Sequence, residues 1–163
     1  HAVLCAKRAV GNDPFAVLLA DDFIVSEEKG VTSDLVSAFE KNSKIQLSVM
    51  EIFGPEISNY GVVQYNSING KVEGLVEKPE ENLAPSNSAS IGRYVLTAEI
   101  FDILENQTIG KGGEIQLADA INILAKKNKV ETVKLRGNRF DCGSVKGYLA
   151  GINFVANKLK INN

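Results

Sequence analysis

Blocks of apolar residues separated by polar turns run along the whole chain and predict strands and helices. Residues 2–10 have the pattern of the end of a helix, and a turn at 11–14 separates them from the apolar run at 15–20. Because this run is continuous, it is typical of a strand buried on both faces, as in the middle of a parallel sheet. A helix capped at 32–34 and a strand at 45–52 follow, and this strand, helix, strand order predicts a parallel pair.

The middle of the chain predicts a β-hairpin. Strand-like segments at 60–65 and 72–76 flank Asn69-Gly70, a dipeptide that favours a tight turn between antiparallel strands. A polar loop containing proline at 79–88 leads to a third strand at 90–96. The other predicted elements are helices at 98–105, with Thr97 as its N-cap, at 114–127 and at 144–160, and a strand at 130–136.

The helical spacing of apolar residues predicts which faces of the last two helices are buried. In the helix at 114–127, this face consists of Leu117, Ala118, Ile121, Leu124 and Ala125. In the helix at 144–160, it consists of Val145, Tyr148, Leu149, Ile152, Val155 and Leu159. We expect both faces to pack against the rest of the domain.

Composition limits the classes of protein to which the chain can belong. Of its 163 residues 44% are hydrophobic and 23% are charged, and the formal net charge is −2. These values are ordinary for one globular domain and give no basic excess for nucleic acid. The two cysteines form no CxxC pair, which favours a reducing compartment, with the cytoplasm as the default. No apolar run approaches the roughly 18 residues of a membrane helix.

Several kinds of site are disfavoured by residue type. The chain has no GxxxxGK[ST] motif, and its only histidine is the first residue, so neither a P-loop nor a Ser-His-Asp triad can be assembled. Cys142 has an acid beside it rather than a base, which argues against a nucleophilic thiolate. Lys111-Gly112-Gly113 before a helix could bind an anion, but Glu114 already complements the helix dipole, so we favour a capping role.

Asp21 and Asp22 directly follow the apolar run at 15–20. Because desolvating a carboxylate is costly, these acids mark the mouth of the core, where ligands of open α/β sheets bind. Mg²⁺ is usually held by one or two carboxylates plus substrate phosphates, so the pair is a candidate metal site. Two acids after a strand are also common in turns and caps, and both interpretations stay open. Since strand side chains alternate, only one of the two should face a site.

A similar choice concerns Asp141, which lies in RFDCGS after the predicted strand at 130–136. It is flanked by Phe140 and Cys142, a more apolar setting than a solvent-facing acid needs. One interpretation is a cap for the helix that begins near Ser144. The other is a second carboxylate that reaches the same cation as Asp21, which the long separation in sequence does not prevent.

The tripeptide Glu77-Lys78-Pro79 closes the predicted strand at 72–76. Proline should hold Lys78 extended and aim a flexible point charge that suits a phosphate. The alternative is an ordinary ion pair on the surface. Strict alternation places Glu77 and Lys78 on opposite faces, so both can touch one ligand only if the strand bends at Pro79.

Several longer motifs resemble a known family in their order and spacing. They are LLADD, FGPEISNYGVV, VEGLVEKPEENLAPSNSASIGRYVLTAEIF, GGEIQLADAI and FDCGSVKGYLAGINFV. Together they are similar to the bacterial UTP–glucose-1-phosphate uridylyltransferase family, and the resemblance covers nearly the whole chain. GGEIQL and FDCGSVKGY point to this family more than to its thymidylyl or cytidylyl relatives.

The resemblance implies a fold and a reaction. The fold is a Rossmann-like three-layer α/β/α sandwich of the nucleotide-diphospho-sugar transferase type, with a mixed, mostly parallel sheet. In the reaction, glucose 1-phosphate attacks the α-phosphorus of UTP in line with the help of Mg²⁺, which gives UDP-glucose and pyrophosphate. Such a transfer needs positioned charges rather than a covalent nucleophile. The family also tends to form homo-oligomers.

Roles at the site are implied by the same resemblance. The matched positions are His1, at the end of a GLGHA-like motif in the uracil pocket; Asp21 and Asp141, which correspond to acids near Mg²⁺ and the phosphates; Gly61, where the backbone approaches the sugar; Glu77, which receives glucose hydroxyls; and Lys78, which holds the sugar phosphate. Asp22 would be a neighbour of the metal ligand. Arg93 lies in a matching motif, but the motif gives it no role.

The resemblance also implies that part of the family's domain is missing. The amino-terminal half, with a first strand and a GxGTRxxP-type loop around the nucleotide phosphates, has no counterpart in residues 1–163. We therefore expect the carboxy-terminal part of one nucleotidyltransferase domain, preceded by further residues, and we predict that this piece alone does not turn over. Because most residues that read the base are absent, the alternatives are a relative using dTTP or CTP, or a non-catalytic sugar-nucleotide-binding domain.

Overall fold

Two sheets hold the strands of the computed structural model, which describes residues 1–26, 29–108 and 115–160. The strands are β1 (Phe15–Leu18), β2 (Asp22–Val25), β3 (Ile45–Glu51), β4 (Gly61–Tyr65), β5 (Val72–Glu77), β6 (Ser88–Leu96), β7 (Val130–Lys134) and β8 (Asn138–Asp141). The helices are α1 (Ala2–Cys5), α2 (Lys7–Val10), α3 (Val31–Asn42), α4 (Glu99–Asn106), α5 (Leu117–Lys126) and α6 (Val145–Lys158). Among the described residues, no helix has the length and apolar character needed to cross a membrane.

The apolar pattern located most of these elements. β3 to β7 and the three longest helices lie where predicted, with ends that differ by a few residues. Two caps differ, because Gly30 rather than the 32–34 cluster precedes α3, and Ala98 rather than Thr97 precedes α4. β2 and β8 were not predicted, because each is only four residues long and charged at one end.

Strand β6 is the centre of the larger sheet. The order is β5-β4-β6-β3-β7, and β1 also pairs with β6. On one edge of β6, Leu18 at the end of β1 lies opposite Arg93, while Gly61 at the start of β4 lies opposite Ser90. β1 and β4 therefore lie end to end along the same edge of β6. After β1 the chain leaves this sheet and enters β2 of the smaller sheet.

The sheet is mixed, as expected, but the pairing differs from the prediction. Only β3 and β7 pair in parallel among the described residues, and the other pairs are antiparallel. β1 and β3 do not pair with each other, because β6 lies between them. β1 is also not buried on both faces, since Ala16 and Leu18 are exposed. An apolar run gives the strand but not the number of its neighbours.

Helices cover both faces of the sheet, which gives the three predicted layers. On one face, Phe101 of α4 and Ile121 of α5 are buried with Leu47 of β3. On the other face, Gln46 of β3 is fully buried and its amide donates to Asn42 at the end of α3. The larger cluster of buried apolar residues lies on the α4–α5 face, and burial of each large apolar side chain contributes roughly 1.5–3 kcal/mol.

The apolar face predicted for α6 is not buried. Val145 is 78% exposed, and Tyr148, Leu149, Ile152 and Leu159 are exposed as well. The helix instead contacts β8 with its other face, where Phe154 lies against Phe140, with ring centroids 5.1 Å apart. The spacing correctly predicted an apolar face, but spacing does not determine which face meets the sheet.

Candidate active site

A cleft of about 390 Å³ opens where β1 ends and β4 begins. Five of the six predicted site residues line it: Asp21, Gly61, Glu77, Lys78 and Asp141. They come from four separate parts of the chain. The pairing of β6 with both β1 and β4 brings Asp21 near Gly61, the β4–β5 pair adds Glu77, and the β2–β8 pair adds Asp141. The volume lies within the usual range for small-molecule sites.

One wall of the cleft carries the two carboxylates proposed to meet a cation. The carbonyl oxygen of Asp21 accepts a hydrogen bond from the Cys142 N–H at 2.7 Å, which ties the two acidic segments together. Asp21 Oδ2 and Asp141 Oδ1 both lie 3.1 Å from the position of a Cβ atom built on Gly143, so they border the same small space. The lack of a side chain at Gly143 keeps that space open.

These two carboxylates fit a magnesium ion better than a fully protein-ligated metal. No group of three or more His, Cys, Asp or Glu side chains that could hold a metal occurs among the described residues. Mg²⁺ commonly takes only one or two carboxylates and completes its shell with water and substrate phosphates. Ser144, not Asp141, provides the side-chain cap of α6, accepting from the Gly147 N–H at 3.0 Å. The carboxylate of Asp141 does not cap that helix, and its Oδ1 accepts the Gly143 N–H at 3.1 Å in the preceding loop.

Alternation predicted that only one of Asp21 and Asp22 faces the site, but both border the cleft and differ instead in their environments. Asp22 is 3% exposed, and its Oδ2 accepts the N–H of Gly92. Its Oδ1 accepts from Nε and Nη2 of Arg139. Asp22 is therefore a buried, paired carboxylate rather than a residue of a solvated turn.

Arg93 acts on the backbone of the same segment. Its guanidinium donates to the carbonyl oxygens of Leu19 at 3.0 Å and of Gly92 at 2.8 Å, and also to that of Asp22. Backbone carbonyls that leave a strand need partners, and one fixed guanidinium supplies them here. This gives Arg93 a structural role at the mouth of the cleft that its motif did not indicate.

The opposite wall carries Glu77 and Lys78. β5 ends at Glu77, and Lys78 has φ of +45°, a left-handed conformation that is unusual for a residue with a side chain. The Lys78 N–H donates to the Tyr60 carbonyl at 3.0 Å. The prediction that Pro79 holds Lys78 extended was wrong, because the chain turns at Lys78 itself. This turn explains how two consecutive residues both line the cleft.

Gly61 leaves room for the Glu77 carboxylate. The two residues lie opposite each other in the β4–β5 ladder. A Cβ atom on Gly61 would lie 3.1 Å from Glu77 Oε2 and 3.3 Å from Leu75 Cδ2. These contacts are tighter than ordinary van der Waals distances, so a side chain at Gly61 would displace the carboxylate.

Tyr94 adds a neutral hydroxyl to the floor of the cleft. Burial raises the pKa of the Tyr94 hydroxyl above its ordinary value, and the carboxylates of Asp22 and Glu77 raise it further. The phenol therefore stays protonated at neutral pH and can donate or accept a hydrogen bond. The sequence contained no signal for this role, since Tyr94 reads as an ordinary strand aromatic.

Two earlier candidates are not brought to the cleft. His1 is exposed, does not line the cleft, and has Nδ1 3.7 Å from the sulfur of Cys5. Its main-chain nitrogen donates to the Ile115 carbonyl at 3.4 Å. The possible anion site at Lys111-Gly112-Gly113, with Glu114, lies outside the described residues.

Sequence reasoning missed the arginine that joins the two walls. Arg139 pairs with Asp22, donates from Nη1 to the Tyr60 hydroxyl at 2.7 Å, and lies 5.1 Å from the centre of the Tyr60 ring. Burial opposes its charge, but the combined effects of Asp22, Tyr60 and Asp141 outweigh burial, so the pKa of Arg139 is raised. Arg139 and Asp141 are two positions apart in β8 and so share a face, but this signal was lost because β8 was not predicted.

The fold and the cleft define a class of protein. An α/β domain with two carboxylates on one wall of a cleft and a carboxylate and a lysine on the other is suited to a phosphorylated ligand and a divalent cation. Residues 1–158 match the family model described as nucleotidyl transferase. The chain belongs to this family.

Individual proteins similar to this chain carry more specific names than the family does. The chain is 43% identical over 158 residues to a UTP–glucose-1-phosphate uridylyltransferase of Pseudomonas aeruginosa, a match that covers 94% of this chain and 57% of that protein. A crystal structure of UDP-glucose pyrophosphorylase complexed with UDP-glucose matches 97% of this chain and 62% of that one, with a TM-score of 0.90 and 38% identity. A UTP-bound enzyme of the same name from Acinetobacter baumannii matches with a TM-score of 0.86 and 37% identity, over 97% of this chain and 56% of that one. The chain thus spans little more than half the length of these proteins.

Proposed function

We propose that the protein containing this chain is a Mg²⁺-dependent uridylyltransferase that makes UDP-glucose and pyrophosphate from UTP and glucose 1-phosphate. The observation that carries the proposal is that one cleft is lined by Asp21 and Asp141, at the end of the β2–β8 pair, and by Glu77 and Lys78, at the end of the β4–β5 hairpin. Relatives that bear this activity in their names, at about 40% identity, support the choice of substrates.

Each wall of the cleft has a distinct task in this proposal. Asp21 and Asp141 hold Mg²⁺, which when bound neutralises phosphate charge and helps to align the reacting groups. The positively charged ammonium group of Lys78 binds the phosphate of glucose 1-phosphate. Glu77 accepts hydrogen bonds from sugar hydroxyls, with the backbone of Gly61 beside them. The attacking oxygen already belongs to a phosphate, so the chain needs no nucleophilic side chain of its own.

Three further parts of the proposal concern the whole protein. The nucleotide phosphates and the base would be bound mainly by residues outside this chain, so we propose that the 163-residue chain alone is inactive. His1 would contribute to the uracil pocket only together with those residues. We also propose that the protein is cytoplasmic, which is consistent with its two free cysteines. We further propose that it forms a homo-oligomer, as the resemblance implies.

The proposal is tested by following pyrophosphate release from UTP, dTTP and CTP in turn, with glucose 1-phosphate and Mg²⁺, in the full-length protein. We expect UTP to be used most efficiently and activity to disappear when Mg²⁺ is chelated. A preference for dTTP or CTP would replace the base assignment. Tight binding of UDP-glucose without turnover would instead favour a non-catalytic binding domain.

A second arm of the test uses the 163-residue chain alone. We expect it to release no pyrophosphate under conditions in which the full-length protein is active. A normal rate for the isolated chain would overturn the view that it carries only part of the site.

A further inference from the structure

The buried pair Asp22–Arg139 lies beside the two carboxylates proposed to hold the cation and borders the same cleft. Asp22 follows Asp21 in sequence and is opposite Asp141 in the β2–β8 ladder. Arg139 is two positions before Asp141 in β8. Any displacement of the pair is therefore passed through one or two backbone units to both candidate ligands.

The charges explain why an arginine is needed at this place. Asp22 and Asp141 are directly opposite in an antiparallel ladder, an arrangement that is destabilising for like charges. Arg139 neutralises Asp22 at close range, so that two of the three neighbouring carboxylates remain to balance a divalent cation. The side chains of Arg139 and Asp22 are only 10% and 4% exposed, so water screens this pair poorly.

The same guanidinium also reaches the other wall. Arg139 donates to the Tyr60 hydroxyl and lies against the Tyr60 ring. The Tyr60 carbonyl in turn accepts the N–H of Lys78, the residue in the left-handed turn. A continuous set of contacts thus runs from the acid pair, through Arg139 and Tyr60, to the backbone of Lys78.

We propose that Asp22 and Arg139 are positioning residues that set the spacing of Asp21 and Asp141 and thereby the affinity of the cleft for its divalent cation. The inference rests on the proposed function. It goes beyond that function because it assigns a task to two residues that border the cleft but to which the proposed function gives no role. Outer partners of metal ligands typically change metal affinity or activity by 10–100-fold when removed.

The test compares Arg139→Gln, Asp22→Asn and the double variant in the full-length protein. For each one, the Mg²⁺ concentration that gives half-maximal activity is measured, together with Mn²⁺ binding by electron paramagnetic resonance and the Tm. The matched control is Lys44→Gln, which breaks the half-buried Lys44–Glu131 pair at 2.9 Å, away from the cleft.

We expect each single variant to raise the half-maximal Mg²⁺ concentration and the Mn²⁺ dissociation constant by about 10-fold or more. Each should also lower the Tm, because a buried charge is left without its partner. The double variant should recover much of the Tm, since neither charge remains, but not the metal affinity. Lys44→Gln should leave metal affinity unchanged.

Unchanged metal affinity in a folded Arg139→Gln or double variant would overturn the inference, and so would joint recovery of Tm and metal affinity in the double variant. If the single variants do not fold, the double variant and Arg139→Lys, which keeps the charge but not the planar fork, still give the comparison. A wild-type protein that binds Mn²⁺ but makes no UDP-glucose would reject the proposed function, and the Mn²⁺ measurements would still decide the role of the pair.

Discussion

The two walls of the cleft are built from antiparallel strand pairs that differ in how far apart their strands lie in the sequence. β4 and β5 are joined by a short turn through Asn69-Gly70, and this hairpin presents Glu77 and Lys78. β2 and β8 are separated by most of the chain, and this ribbon presents Asp21 and Asp141 at its end. The hairpin could be predicted from local sequence, whereas the ribbon could not.

Each wall keeps its geometry in a different way. In the hairpin, a left-handed backbone at Lys78 and a bare backbone at Gly61 shape the site, so the conformation of a few residues decides it. In the ribbon, a buried ion pair and the close approach of Gly92 to Asp22 decide it. We therefore expect the acidic wall to be sensitive to packing and charge, and the hairpin wall to local backbone preference.

The largest effect should come from Asp21→Asn on the acidic wall. Removing one of two carboxylates around a divalent cation should lower UDP-glucose synthesis by the full-length protein by about a hundredfold or more. The Tm should hardly change, because the Asp21 side chain is exposed and no ion pair involves it among the described residues. Asp13→Asn, at an exposed turn before β1, is the control. A large loss of Tm with unchanged activity would show that Asp21 is only a turn residue.

The next largest effect is expected from two substitutions that test how tightly each wall is packed. Gly92→Ala tests the acidic wall, and Gly74→Ala tests the hairpin. A Cβ at Gly92 would lie 2.5 Å from Asp22 Oδ2 and 2.6 Å from Leu19 Cβ, so we expect a loss of about 3 kcal/mol. A Cβ at Gly74 would meet only the Asn122 amide, at 2.8 Å. This side chain can shift, but the shift would strain its hydrogen bonds to the Leu75 N–H and carbonyl, so we expect a loss of about 1.5 kcal/mol. Urea unfolding of both variants measures the difference. Equal losses would contradict the idea that the acidic wall is packed more tightly.

The third effect separates backbone strain from charge at Lys78. Lys78→Ala and Lys78→Gly both remove the ammonium and should reduce activity to the same extent. Only glycine adopts φ of +45° without strain, so Lys78→Gly should be about 1 kcal/mol more stable than Lys78→Ala. The measurement is a pair of unfolding curves together with the KM for glucose 1-phosphate. Identical stabilities would mean that the turn at Lys78 carries no strain.

The smallest effect should come from Tyr60→Phe. Tyr60 connects the two walls, because it accepts hydrogen bonds from Arg139 and from the Lys78 N–H. The substitution removes the hydroxyl that accepts from Arg139 at 2.7 Å but keeps the ring beside the guanidinium. Loss of one hydrogen bond should raise the KM for glucose 1-phosphate about two- to fivefold. The Mg²⁺ dependence should change less than in Arg139→Gln. An equal change in both variants would make Tyr60, rather than Asp22, the main partner of Arg139.

Local sequence determined a large part of this molecule. Apolar periodicity located β3 to β7 and the longest helices, and Asn69-Gly70 indicated the hairpin. Acids at the end of an apolar run pointed to the mouth of the core, because a carboxylate cannot be desolvated at low cost. The motifs added the family, which the match over residues 1–158 confirmed. The roles of individual site residues stay predictions.

Only the tertiary structure decided the contacts that connect distant segments. The pairing of β2 with β8, and with it the contact between Asp22 and Arg139, depends on a register that four-residue strands do not encode locally. The turn at Lys78 and the exposure of the apolar face of α6 were also decided by neighbours. Periodicity specifies a face or a strand, but which face is covered, and which charges meet, depends on segments far away in the chain.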